Sequence, residues 1–185
     1  MALTNNVSLA SRMALFRSHG ITRDPDLMTH SPDGAWYYQQ IALGFNYRMT
    51  DIQAALGMSQ LARLDEYVGK RLKLAKRYQQ YLKSQPVLLP WQHPDCYSAY
   101  HLYIVLVQNK RDHVFDSMRK MEVGVNLHYI PVHTQPYFEA MGFREGDFPA
   151  SETYYSKAIS LPMYPTLTEA QQDHVIASFN SALQE

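Results

Sequence analysis

The run YSAYHLYIVLV, residues 97–107, is dense in aromatic and β-branched side chains. It is too short for a long helix and apolar on both alternating faces, so it predicts a central strand covered on both sides. Upstream, Thr50 with Gln53 three residues later matches a capping box. Beyond it Leu61, Leu64, Val68, Leu72, Ala75, Tyr78 and Leu82 step by three and four along one face. A single long helix over residues 50–83 is expected, with Gly57 and Gly69 marking close packing or a bend and Pro86 and Pro90 forbidding continuation. Downstream, Val114, Phe115, Met118 and Met121 predict an amphipathic helix over 111–121, stopped by Gly124. A second strand is expected at 125–130, before Pro131, then helices at 150–158 and 168–183, the last opened by a capping box of Thr168 and Gln171. The fold class is α+β: a small sheet with helices packed on it, plus one long helix.

At the other end, Leu9, Met13, Leu15 and Phe16 recur at helical spacing within 8–19, with Gly20 where a C-terminal cap would sit. Residues 21–47 contain Asp-Pro and Ser-Pro-Asp-Gly turns and no sustained period, which predicts an irregular arm. Such an arm in a compact protein is usually functional or bound to a partner. The expected division is therefore 1–49, helix and arm, and 50–185, an α+β domain.

The 185 residues suffice to bury about 70% of the surface of the unfolded chain, enough for one core without disulfides. Equal numbers of basic and acidic residues, 17 each, with no Lys/Arg run longer than two, argue against a nucleic-acid footprint. A lone Cys96 excludes an internal disulfide and a Cys-rich zinc site and suits a reducing compartment. With no leader-like N-terminus and no span of membrane-crossing length, a soluble, cytoplasmic protein is expected.

Two clusters have the residue types for binding. His128, Tyr129, His133 and Gln135 lie in NLHYIPVHTQPYF, at and after the second expected strand, where loop residues can reach a ligand. A metal site would need further ligands, and Pro131 separates the two histidines with no carboxylate between them. Binding, or simple hydrogen bonding within a loop, are equally open on this chemistry. In GFNYRMTDIQAALG, residues 44–57, Asn46, Tyr47 and Arg48 stand just before a helix start, where free N–H groups and the helix dipole favour an anion such as phosphate. Asn and Arg also cap helix starts with no ligand involved, and no glycine-rich cradle accompanies them. Cys96 has no nucleophile signature around it. The seven lysines, Lys70, Lys73, Lys76, Lys83, Lys110, Lys120 and Lys157, all read as solvated surface. The fourteen tyrosines are assigned to core and interface packing.

Taken in order, FRSHGITRD (16–24), GFNYRMTDIQAALGMSQL (44–61), SAYHLYIVLV (98–107), HYIPVHTQPYF (128–138) and SLPMYPTLTEAQQDHV (160–175) resemble the C-terminal half of the DegT/DnrJ/EryC1/StrS family of pyridoxal-phosphate sugar aminotransferases. The nearest branch is the one that aminates UDP-4-keto-6-deoxy sugars for pseudaminic acid. The resemblance implies the small C-terminal domain of a fold-type I aminotransferase, with residues 1–49 as the remnant of its junction with the large domain. It also implies a homodimer with active sites at the subunit interface, and amino transfer from glutamate to a nucleotide-linked keto sugar. Asn46 matches the family asparagine that reaches across the dimer to the cofactor phosphate, and Arg48 lies in the same motif. Tyr47, His128, Tyr129 and His133 match positions that line or support the sugar-nucleotide pocket.

The family's Schiff-base lysine lies in a Ser-x-His-x-x-Lys-like segment upstream of the region resembled, and none of the seven lysines here stands in such a setting. The reaction needs that lysine as covalent anchor and proton-moving base, so this chain alone is expected to be inactive. Two rivals remain: a non-catalytic module pairing with a lysine-bearing chain, and a metal site on His128 and His133. The arm and the long helix are further expected to expose apolar surface.

Overall fold

The computed structural model describes residues 2–185. The chain divides into a first unit ending at Ala62 and a second, Arg63–Glu185. The division falls thirteen residues later than residues 49/50, where the sequence places it.

In the first unit, α1 (Val7–Phe16) opens with Asn6, whose Oδ1 accepts from the Leu9 N–H at 3.0 Å. It closes where Gly20 donates back to the Leu15 carbonyl at 3.0 Å, the left-handed stop that its glycine predicts. The arm is short-range structure rather than free chain. β1 (Ile21–Thr22) pairs antiparallel with β2 (Gln39–Gln40), and a 3₁₀ turn at Pro25–Leu27 is capped by Asp24. Buried Gln39 pins the intervening loop: its Oε1 accepts from the Thr29 N–H at 2.7 Å and its Nε2 donates to the His30 carbonyl at 3.3 Å. α2 (Asp51–Leu61) starts at Thr50 with the expected capping box fully formed.

The single long helix is not observed. The helix ends at Leu61, and α3 (Leu64–Leu82) begins after Arg63, whose φ of −109° and ψ of 5° leave the helical region. Neither Gly57 nor Gly69 is the break. The apolar stripe continues across the junction, but α2 buries no residue, whereas α3 buries Leu74, Ala75, Tyr78 and Leu82 on one face. α3 also starts with its own acidic first turn, Asp65 and Glu66, which complements the dipole of a new helix. Helix periodicity persists through a break of two residues, so pattern alone does not reveal it.

The second unit is a three-stranded antiparallel sheet, in the order β3 (Val87–Leu88), β4 (Tyr103–Val107), β5 (Ala158–Leu161). It also contains α3, α4 (Arg111–Lys120), the single turn α5 (Pro136–Glu139), α6 (Pro149–Lys157) and α7 (Glu169–Gln184). β4 is central as expected, with Tyr103 opposite Leu161 and Val107 opposite Val87. It is shorter than the run of residues 97–107 because the chain before it bends. Tyr100 has φ of 44°, and the carbonyls of Tyr100 and His101 are taken by the Arg71 guanidinium, at 3.2 and 3.1 Å, instead of by a ladder. Its faces are also unequal: Tyr103, Val105 and Val107 are buried, Ile104 and Leu106 only half-buried.

The strand expected at 125–130 reduces to one bridge, Asn126 to Ser160, because the Asn126 side chain turns back to the Leu127 N–H at 2.8 Å. The third strand is Ala158–Leu161, whose start the sequence places at the end of a helix. Four residues buried on both faces carry no period from which a strand can be distinguished from a helix end. The left-handed residue after α4 is Glu122, φ 61°, rather than Gly124. Thr168 and Gln171 form the capping box of α7 as expected.

The core lies where α3, α4 and α7 close on the sheet: Tyr78, Leu82, Tyr103, Val105, Met118, Ile159 and Phe179 are all nearly inaccessible. Side chains of this size each contribute about 1.5–3 kcal/mol by burial. Tyr78 and Tyr103 pack with ring centroids 4.9 Å apart, and burial pushes both hydroxyls above the ordinary tyrosine range, so they stay protonated. Tyr78 donates to the Pro162 carbonyl at 2.9 Å, which satisfies its buried hydroxyl.

Candidate functional site

Asn46, Tyr47 and Arg48 belong to the first unit, on a segment laced to the end of α1. Phe45 donates to the Phe16 carbonyl at 2.6 Å, His19 to the Phe45 carbonyl at 2.8 Å, and Tyr47 to the Arg17 carbonyl at 2.9 Å. Asn46 is thus fixed by backbone on either side while its own carboxamide stays exposed. Arg48 Nη2 donates to Asn46 Oδ1 at 3.4 Å, a contact that orients the amide and leaves Nδ2 free to donate outward. Phe45 and Tyr47 stack beside it at 5.0 Å with a 15° interplanar angle.

The start of α2 is a poorer anion site than the sequence suggests. The Thr50 and Gln53 N–H groups are consumed by the capping box, at 3.0 and 3.3 Å, and Asp51 adds a negative charge in the first turn. Besides the Asp51 and Ile52 N–H groups of that first turn, the side-chain donors able to meet a phosphate are the Asn46 amide and the Arg48 guanidinium, a planar charged donor suited to phosphate oxygens.

His128, Tyr129 and His133 belong to the second unit and take different partners. His128 Nδ1 lies 2.7 Å from the hydroxyl of buried Ser160 on β5, and its ring meets Tyr129 edge-on at 4.6 Å. Tyr129 itself is 70% exposed and free to contact a ligand. His133 is buried, with Nε2 2.6 Å from Glu152 Oε1 on α6 and its ring 4.8 Å from Phe148. The same carboxylate accepts from the Gly146 and Phe148 N–H groups, at 2.9 and 3.3 Å. His133 therefore clamps the 131–149 segment onto α6 instead of opening to solvent.

A shallow apolar hollow of about 390 Å³ lies beside the clamp, walled by Val132, Phe138, Phe143 and Phe148. A cavity of about 580 Å³ lies elsewhere on this unit, between Glu122–Gly124 and the start of α7 at Ala170 and His174, and contains none of the expected site residues. With His128 on Ser160 and His133 on Glu152, the two histidines do not converge. No cluster of three or more metal-ligating side chains occurs among the described residues.

Glu152 is held below the ordinary carboxylate range, first by the hydrogen bond from His133, then by the backbone N–H groups of Gly146 and Phe148. A carboxylate with a depressed folded pKa contributes stability that is present above its unfolded value and is lost as pH falls through the folded one. The 131–149 segment is therefore expected to loosen on acidification below the normal glutamate range, and Glu152→Gln is expected to flatten that acid limb. Hydrogen exchange at the Gly146 and Phe148 amides against pH checks it; an unchanged limb in the variant refutes the clamp.

Glu152 and Ser160 are the two partners that sequence reasoning did not reach. They lie 19 and 32 residues from the histidines they hold, and no local pattern joins them. Six of the lysines are exposed and the seventh, Lys157, half-buried, in line with surface roles, and Cys96 is exposed. No helix is long and apolar enough to cross a membrane among the described residues.

The model of the DegT/DnrJ/EryC1/StrS aminotransferase family matches residues 1–180. Among curated proteins, the spore coat polysaccharide biosynthesis protein SpsC of Bacillus subtilis is 35% identical over 184 residues, 95% of this chain and 47% of SpsC. Among solved structures, Helicobacter pylori PseC, an aminotransferase involved in the biosynthesis of pseudoaminic acid, superimposes with a TM-score of 0.84 at 26% identity, covering 98% of this chain and 46% of PseC. A DegT DnrJ EryC1 StrS aminotransferase from Brucella abortus gives 0.81 at 28% identity over 99% of this chain and 46% of its own. The chain spans about half the length of the relatives it matches.

Proposed function

Because the chain belongs to the DegT/DnrJ/EryC1/StrS aminotransferase family, we propose that it is the C-terminal part of a pyridoxal-phosphate sugar aminotransferase that moves an amino group from glutamate to a nucleotide-linked keto-deoxy sugar. The observation that carries this is the family match over residues 1–180, with Asn46 and Arg48 forming a fixed, outward donor pair. When bound, the cofactor supplies the electron sink that amino transfer requires. The residues present here suit its phosphate end: Asn46 would donate to a phosphate oxygen while Arg48 would order that amide and add positive charge.

Tyr47, His128 and exposed Tyr129 contact the sugar nucleotide, and His133 supports that loop through Glu152. PseC is an aminotransferase of pseudoaminic acid biosynthesis, which favours a UDP-linked 4-keto-6-deoxy sugar, handled in the cytoplasm. A homodimer agrees with the large apolar side chains left exposed at Leu43, Ile52, Leu56, Met58 and Leu61. Residues 1–49, with the rest of the first unit, form the junction towards the large domain.

The anchoring lysine is not among the seven present, so this chain alone does not turn over substrate. Incubation with pyridoxal phosphate, borohydride reduction and peptide mapping tests this. No single lysine is expected to label stoichiometrically; stoichiometric labelling of one, with substrate-dependent turnover, would overturn it. In an enzyme assembled from this chain and the lysine-bearing portion, Asn46→Asp is expected to weaken the cofactor by about tenfold to a hundredfold, as loss of a charge-assisted hydrogen bond implies. Unchanged cofactor affinity by fluorescence titration removes Asn46 from the phosphate site.

A further inference from the structure

Ser160 lies in β5 opposite Ile104 of β4, and on its other side its N–H donates to the Asn126 carbonyl at 2.8 Å while its carbonyl accepts from the Asn126 N–H at 3.3 Å. Its backbone is therefore fully used in holding the segment that leads to His128. The hydroxyl is left over, and it is only 4% exposed. Its one partner among the described residues is His128 Nδ1, at 2.7 Å.

A buried hydroxyl has one proton to give and lone pairs to spare, and an unused buried donor costs more than an unused second lone pair. With Nδ1 its only hydrogen-bond partner among the described residues, the Ser160 O–H donates to it. An imidazole that accepts at Nδ1 carries its proton on Nε2, because the hydrogen bond at one ring nitrogen sets the state of the other. His128 Nε2 has no partner among the described residues, and the ring is half-buried rather than enclosed.

We infer that Ser160 is a positioning residue that locks His128 in its neutral Nε2–H form, so that His128 presents an N–H donor to an acceptor oxygen of the substrate. This rests on the assignment of His128 to the sugar-nucleotide pocket. It commits the recognised atom to an oxygen, of the nucleoside diphosphate or of the sugar, and rules out a ring N–H or ammonium group of the ligand at this point. It also makes His128 a poor general base through Nε2, since that nitrogen already carries a proton.

Nitrogen-15 NMR of the ring in the intact chain tests it. The expected result is Nδ1 in the unprotonated range and Nε2 bearing hydrogen, in the chain at neutral pH. Ser160→Ala is expected to mix the two tautomers, and Ser160→Thr, which keeps the hydroxyl on a residue suited to a strand, to restore the single form. Circular dichroism of both variants controls for folding, and a merely structural serine would not move the ring tautomer when the fold survives. An Nδ1–H ring in the unmodified chain, or a Ser160→Ala spectrum unchanged in a folded variant, overturns the inference. In an enzyme assembled from this chain and the lysine-bearing portion, titration with UDP and with UDP-N-acetylglucosamine separates the remaining questions. A shift of the Nε2–H signal with both places the acceptor on the nucleoside diphosphate, and a shift with the sugar nucleotide alone places it on the sugar. No shift with either removes His128 from the pocket, a failure of the functional assignment that the tautomer result distinguishes from a failure of the Ser160 contact.

Discussion

Gly20→Ala is expected to unfold the first unit while the second stays folded. Gly20 has φ of 71°, a left-handed conformation that costs an L side chain about 1–2 kcal/mol. A methyl group there would also overlap the Ala42 carbonyl oxygen and lie 2.6 Å from its carbon, against backbone that cannot rotate aside. Overpacking of this kind costs about 1–3 kcal/mol, sometimes more, so the sum is roughly 3 kcal/mol or greater.

Gly44→Ala is expected to act alike, since its added carbon would overlap the Gly20 nitrogen and stand 2.6 Å from the His19 carbonyl carbon and 2.8 Å from the Phe16 oxygen. The first unit has little to set against this. Among the described residues no buried hydrophobic side chain precedes Leu74, and the unit's order rests on backbone hydrogen bonds that cross between the segments carrying the two glycines, such as Ile41 to the Gly20 carbonyl at 2.9 Å. Hydrogen exchange at Ile41, Phe45 and Tyr47, with the second unit's core amides as internal reference, reads the effect. Full protection in the Gly20→Ala chain would show that the two segments can separate without cost. Because Asn46 is placed by the same lacing, the variant should also lose the donor pair proposed for the cofactor phosphate.

The second large effect is expected at Arg71. Its Nη1 donates to three carbonyls, Tyr100 at 3.2 Å, His101 at 3.1 Å and Met163 at 2.8 Å. One guanidinium on α3 thereby holds both the bend that enters β4 and the chain that leaves β5. Arg71→Ala leaves those acceptors without a charged donor. Water can replace part of the loss at half-exposed sites, so about 2–4 kcal/mol is expected rather than the full desolvation cost of three groups. Arg71→Lys should recover only a fraction, because the lysine Nζ lies one bond nearer the backbone than Nη1 and falls short of the point where the three carbonyls meet. Thermal melting of the chain, followed at the near-ultraviolet signal to which buried Tyr78 and Tyr103 contribute, measures the difference. Equal stability of the alanine and native chains would mean that the carbonyls are satisfied by solvent alone.

These two effects show where sequence and structure part. The helix starts at Thr50 and Thr168 were legible because a capping box is a local contract among four residues, and both are formed as read. The central position of residues 103–107 was legible because a run of β-branched and aromatic residues admits few alternatives. The family was legible from motifs spread over nearly the whole chain. What the sequence could not decide was every feature made by residues distant in the chain. The break at Ala62 and Arg63 lies inside an unbroken apolar period, and it is marked by the non-helical backbone of Arg63 and by burial that begins only at Leu74.

β5 was invisible because Ala158–Leu161 is buried on both faces and has no period, so its partner on β4 defines it. At the site, the residue types were readable at His128 and His133, but their availability was not. His133 is withdrawn from solvent by Glu152, and His128 is oriented by Ser160, through contacts spanning 19 and 32 residues. Local chemistry is written in neighbouring residues and is determined by the sequence alone. Which polar atoms remain free to meet a ligand depends on which have already been paired, and only the tertiary structure makes those pairs.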